Sequence, residues 1–146
     1  MATLVAKDEG ELESIVRTLL VALKEKGEAH VLALHGDLGA GKTAFTKALA
    51  RVLQVREHVT SPTFVIMKSY DISAHERFTT LTHIDAYRIE DESELTVLGF
   101  ENLLSDTSRL IVIEWPERIP GLMPEDALTV NITIGEGNER IITYGE

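Results

Sequence analysis

Apolar residues near the start of the chain recur at helical intervals: Leu12, Ile15, Val16, Leu19, Leu20 and Leu23 share one face, with Glu11, Glu13, Arg17 and Lys24 opposite. That spacing predicts an amphipathic helix over residues 8–26, packed over a sheet. Its acidic first turn and the late Lys24 and Lys26 suit the helix dipole, and Gly27 can terminate it. Residues 31–34 form a short apolar run of buried-strand type, and Phe45, Ala48, Leu49, Val52 and Leu53 then repeat at helical spacing, with Lys47 and Arg51 on the other side. Residues 64–70 and 78–85 read as an antiparallel pair of strands joined by residues 71–77. Asp91, followed three positions later by Glu94 and then by Leu95, Leu98 and Leu103, predicts a capped helix that Gly99 ends or breaks. Residues 110–113 are fully apolar, as in a parallel strand, and residues 128–134 and 140–144 flank a turn as a terminal hairpin. No internal repeat, linker or low-complexity segment interrupts the series.

Between the first strand and the second helix stand Gly36, Asp37, Leu38, Gly39, Ala40, Gly41, Lys42 and Thr43, which satisfy the phosphate-binding pattern G-x-x-x-x-G-K-[ST] in full. Glycines let the loop curl and turn successive backbone N–H groups toward an anion. Lys42 is placed to reach the β- and γ-phosphates of a nucleotide, ATP above all, and the Thr43 hydroxyl to coordinate Mg²⁺. The plainer reading is a glycine-rich turn, but chance yields this pattern in only about one chain of this size in two hundred. Strand, loop and helix also follow in the order the motif requires, which aims a helix N-terminus at the phosphates.

The chain has 146 residues, which predicts one domain able to bury its own core. It has no cysteine, which excludes disulfides, thiolate zinc sites and cysteine nucleophiles and fits a reducing cytoplasm. Charge comes too early for a signal peptide and no apolar run spans a bilayer, so a cytoplasmic protein without a membrane partner is expected. The net charge of −10 speaks against a nucleic acid gripped directly and alone.

Further candidates lie downstream. Thr60, Ser61 and Thr63 surround Pro62, as in an ordinary turn or in a switch segment whose hydroxyl meets Mg²⁺ or the γ-phosphate. Asp85 ends an apolar strand, where a metal-organising carboxylate or a simple strand-end cap would stand. His83 lies on the same side of that strand and reads as structural or supporting. Glu114 ends the apolar run 110–113, and ligands of α/β sheets lie beyond the carboxyl ends of the strands. Trp115 follows it, either covering the sheet edge or standing beside the site within reach of the nucleotide.

Four marks in order, Gly36 to Thr43, S-P-T-F at Ser61 to Phe64, H-x-D-x-Y-R at His83 to Arg88, and E-W-P-E at Glu114 to Glu117, make the chain resemble the bacterial TsaE family, formerly YjeE. That family is the small ATPase of tRNA threonylcarbamoyladenosine synthesis. The resemblance implies an α/β fold of the P-loop NTPase type, three-layered, with a mixed, mainly parallel central sheet and antiparallel strand pairs. It implies ATP and Mg²⁺ as ligands, weak hydrolysis alone, and work with TsaB and TsaD, of which TsaD transfers the threonylcarbamoyl group to adenosine 37 of tRNAs reading codons that start with A. The tRNA would then be met only through the complex. By the same resemblance Lys42, Asp85 and Glu114 are the catalytic residues, with Thr43, Asp85 and Glu114 around the metal. Thr60, Ser61 and Thr63 form the switch-like segment, and Asp8, Glu9 and Arg140 approach the nucleotide. A kinase should carry clustered lid arginines, which are scattered singly here, and the N-K-x-D motif of a GTPase is absent. A nucleotide-sensing adaptor without useful turnover is the non-enzymatic alternative, against which Asp85 and Glu114 argue.

Overall fold

The computed structural model describes residues 2–24, 27–37, 41–60, 65–73 and 75–145. In chain order its elements are β1 (Ala2–Ala6), α1 (Glu9–Ala22), β2 (His30–His35), α2 (Lys42–Val52), β3 (Met67–Asp71), β4 (Thr80–Asp85), α3 (Ser93–Thr96), α4 (Phe100–Leu104), β5 (Arg109–Glu114), β6 (Leu128–Ile134) and β7 (Arg140–Gly145). The strands form one seven-stranded sheet in the order β1-β7-β6-β2-β5-β4-β3. The central strands β6, β2, β5 and β4 run parallel, while β3 and the β7–β1 pair close the edges antiparallel. This is the mixed α/β architecture expected from the sequence.

The apolar run in β5 shows why the fold has three layers. Leu110 and Val112 pack under α1 and α2, together with Leu19, Phe45 and Leu49, whereas Ile111 and Ile113 face a second core with Leu95, Phe100 and Ile119. A strand alternates faces at every residue, so a strand apolar at every position must be covered on both sides.

Helix α1 starts as predicted. Asp8 accepts from the Glu11 backbone N–H at 2.8 Å, and the Glu11 carboxylate accepts from the Lys7 N–H at 2.7 Å. It ends earlier than predicted, at Ala22, with Leu23 extended at φ −70°, ψ 122°. The last turn holds no basic residue, and Lys26 lies outside the described residues. Arg77, from the β3–β4 connection, instead donates to the carbonyls of Leu20 at 3.4 Å and Leu23 at 2.7 Å. A cation from elsewhere in the chain therefore serves the negative end of the dipole, and no local pattern could have announced it.

Strand β1 is absent from the sequence reading. It is a short edge strand, with Leu4 and Ala6 turned inward and Thr3 and Val5 outward. Strand β3 begins at Met67, just after Ile66 takes a left-handed φ of +67°; Phe64, the expected start, lies outside the described residues. The helix after Asp91 is broken by Gly99 at φ +85°, giving α3 and α4 and leaving Leu98 exposed. Among the described residues no helix is long and apolar enough to cross a membrane.

Candidate functional site

The register of the parallel strands builds the site. Glu114 at the end of β5 lies between Asp85, its partner on β4, and Leu34, its partner on β2. Neighbouring strands stand about 4.8 Å apart, so the two carboxylates leave the sheet side by side. Both share the face of Val112, which is the face that α2 covers. Lys42, the first residue of α2, lies near enough to feel both charges; Lys42, Asp85 and Glu114 are only 5%, 8% and 4% exposed.

The start of α2 depends on a glycine. Gly41 stands at φ +102°, and a Cβ there would fall 2.6 Å from Arg140 Nε. Among the described residues no side-chain hydrogen bond caps the helix. Leu38, Gly39 and Ala40 lie outside the described residues, while Gly36 is half-buried, Asp37 is exposed and Thr43 is half-buried. Lys42 Nζ donates to the Gly36 carbonyl at 2.7 Å and sits 3.4 Å over the centroid of the Trp115 ring. Burial lowers the Lys42 pKa from its ordinary value, against the opposing pull of Glu114, Glu117, Asp85 and Asp37.

Trp115 thus turns toward the loop rather than merely covering the sheet edge. Its backbone is left-handed at φ +59°, which swings the chain off the strand, and its ring lies 5.0 Å from that of Tyr87. Asp85 makes the bond expected of a strand-end cap, with Oδ1 accepting from the Tyr87 N–H at 3.0 Å. Thr60 is exposed, and its N–H and carbonyl both meet the Tyr70 hydroxyl at 3.4 Å. Ser61 and Thr63 lie outside the described residues.

On the other side of α2, Arg140 joins a cavity of about 350 Å³ lined by Ala6, Lys7, Asp8, Glu9, Leu12, Ala44 and Asn138. Residues far apart in sequence, Asp8, Glu9 and Arg140, therefore do come together beside the loop. Arg140 donates from Nη1 to the carbonyls of Asn138 at 3.1 Å and Glu139 at 3.5 Å, and its Nε is buried with no hydrogen-bond partner among the described residues.

A family model described as threonylcarbamoyl adenosine biosynthesis protein TsaE matches residues 6–142. The chain belongs to the TsaE family. Among its relatives is the TsaE protein of Bacillus subtilis (strain 168), 38% identical over 129 residues, which are 88% of this chain and 76% of that one. The TsaE protein of Treponema pallidum (strain Nichols) is 37% identical over 125 residues, covering 85% and 87%. Both are named tRNA threonylcarbamoyladenosine biosynthesis protein TsaE. The crystal structure of Bacillus subtilis YdiB superposes with a TM-score of 0.74 at 29% identity, over 98% of this chain and 83% of that one.

Two contacts of this TsaE-family site go beyond the sequence reading. His83 is fully buried and its Nε2 meets Glu114 Oε2, while His35 Nδ1 meets Glu117 Oε2 at 3.0 Å at the rim. The first had a signal: His83 and Asp85 are two apart on one strand, so both point at the face where Glu114 emerges. The second joins residues 82 positions apart and had none.

Proposed function

We propose that this TsaE-family chain binds ATP with Mg²⁺ at the Gly36-to-Thr43 loop and hydrolyses it in support of tRNA threonylcarbamoyladenosine synthesis. The observation that carries this reading is the convergence of Lys42, at the start of α2, with two carboxylates set side by side by strand register. Lys42 is buried at a helix N-terminus, which suits a polyanion. The unpartnered Arg140 Nε and the adjoining cavity suit the rest of a nucleotide.

Thr43, Asp85 and Glu114 fit a hard cation that prefers oxygen ligands, and would hold Mg²⁺. The ion supplies neutralisation of phosphate charge when bound. Lys42 binds the terminal phosphates, exchanging the Gly36 carbonyl and the Trp115 ring for them. Glu114 accepts a hydrogen bond from the attacking water and so orients it, and Trp115 shields the site from bulk solvent. With a net charge of −10 the chain meets the tRNA through partners, TsaB and TsaD, rather than by itself.

Phosphate release from ATP, measured with and without purified TsaB and TsaD, tests the proposal. Wild-type protein should release phosphate faster in the complex. Asp85→Asn and Glu114→Gln should fold and bind ATP yet lose turnover. Wild-type turnover in both variants would reduce the carboxylates to structural roles and refute the assignment.

A further inference from the structure

We infer that His83 is a positioning residue for Glu114, fixing that carboxylate through one oxygen and leaving the other for the site. The inference rests on the ATPase reading above and names a residue that reading does not use.

His83 is fully buried on β4, and its ring meets the site through one contact, Nε2 to Glu114 Oε2. Its other nitrogen, Nδ1, is buried with no hydrogen-bond partner among the described residues. These two facts select a tautomer. A proton on Nδ1 would stand buried without an acceptor, and if it were the ring's only proton, the Nε2 lone pair would also oppose the carboxylate. With the proton on Nε2, His83 donates to Glu114 and only one lone pair goes unpaired. The donor cannot wander either, because the ring is enclosed and β4 is held in register against β5. Glu114 is buried too, so without His83 the carboxylate has lost a charge-assisted donor and is free to turn. The arrangement is the same in kind as a carboxylate–histidine pair behind a metal site, in which an outer group sets the orientation of an inner one.

The test uses the full chain and two independent readouts. Imidazole ¹⁵N NMR of the nucleotide-free protein should show His83 protonated on Nε2 and bare on Nδ1, with the Nε2 signal displaced in Glu114→Gln. His83→Gln, His83→Asn and His83→Leu are then compared for ADP affinity with and without Mg²⁺, and for single-turnover hydrolysis with the partner proteins present. A glutamine amide reaches the position of Nε2 and an asparagine amide only that of Nδ1. His83→Leu and His83→Asn should lose about 10- to 100-fold in hydrolysis or in the Mg²⁺-dependent part of ADP affinity. Affinity for ADP without Mg²⁺ should be unchanged, and His83→Gln should recover most of the loss. The inference is overturned by a ring protonated on Nδ1, by an Nε2 signal indifferent to Glu114→Gln, or by glutamine and asparagine variants that behave alike. If the leucine variant does not fold, the glutamine–asparagine comparison and the NMR signal decide. A wild-type chain that never hydrolyses ATP, yet shows the expected tautomer and the expected Mg²⁺ effect on ADP, would sink the ATPase reading and support the positioning of Glu114.

Discussion

Substituting Gly41 by alanine should damage the loop in two separable ways. The first is backbone strain: Gly41 sits at φ +102°, ψ 21°, and left-handed backbone costs a residue with a Cβ about 1–2 kcal/mol. The second is collision, since the new Cβ would lie 2.6 Å from Arg140 Nε and 3.1 Å from its Cδ. Arg140 cannot yield without cost, because Nη1 is anchored on the Asn138 and Glu139 carbonyls, each bond contributing about 1 kcal/mol. Together these give a loss of about 2–4 kcal/mol, or a fall in Tm of roughly 5–15 °C for a chain of this length. Thermal unfolding followed by circular dichroism, on wild type, Gly41→Ala, Arg140→Ala and the double variant, separates the two. Arg140→Ala removes the colliding atoms, so in that background Gly41→Ala should cost only the backbone part, leaving a coupling of about 1 kcal/mol or more. Equal costs in both backgrounds would refute the collision. No cost in either would refute the left-handed backbone itself.

ATP with Mg²⁺ at a hundred times its dissociation constant should stabilise the fold by about 2.7 kcal/mol, and Lys42→Ala should abolish the shift; an equal shift in that variant would place the phosphates elsewhere. Nucleotide should change the fluorescence of Trp115, the single tryptophan, because Lys42 leaves the ring when it meets phosphate. Unchanged emission at confirmed saturation would mean that the Lys42–Trp115 contact survives binding. Hydrogen bonds from the Ser108 hydroxyl and N–H, with Arg109 nearby, hold the Asp106 carboxyl below its ordinary value of 3.8. A depressed carboxylate adds stability above its unfolded pKa and loses it as pH falls through the lower folded one. Asp106→Asn should therefore be less stable than wild type at pH 7 by under about 1 kcal/mol, the group being solvent-screened, with the gap closing only below about pH 4. Urea unfolding across that range checks it, and a gap that does not change with pH would remove the ionic contribution.

What could be read from the chain follows from how far each signal reaches along it. The run 110–113 and the helical spacing after Lys42 are local, and they led to β5 and to the start of α2. Asp85 and Glu114 were legible as strand-end carboxylates, but only register places them side by side, and register belongs to two strands at once. The left-handed backbone of Trp115 and Ile66 had no sequence sign, since neither is a residue that favours it. Edge strand β1 offers only a five-residue alternation, Leu4 and Ala6 against Thr3 and Val5, too short a signal to stand out from an irregular segment. The early end of α1 was hidden for another reason: the group that ends it, Arg77, lies more than fifty positions away.

That guanidinium also links two distant parts of the fold. An open sheet has two free margins, and each ordinarily frays at its own rate, a strand or two at a time. Here the β1 margin runs straight into α1, and the last carbonyls of α1 are gripped from the turn between β3 and β4 at the opposite margin. Opening the β3–β4 turn therefore takes a charged donor from the end of α1, so local opening there costs more than the turn's own contacts alone. Amide exchange should show the link: Arg77→Ala should speed exchange in both α1 and the β3–β4 turn, and a change confined to one of them would refute it.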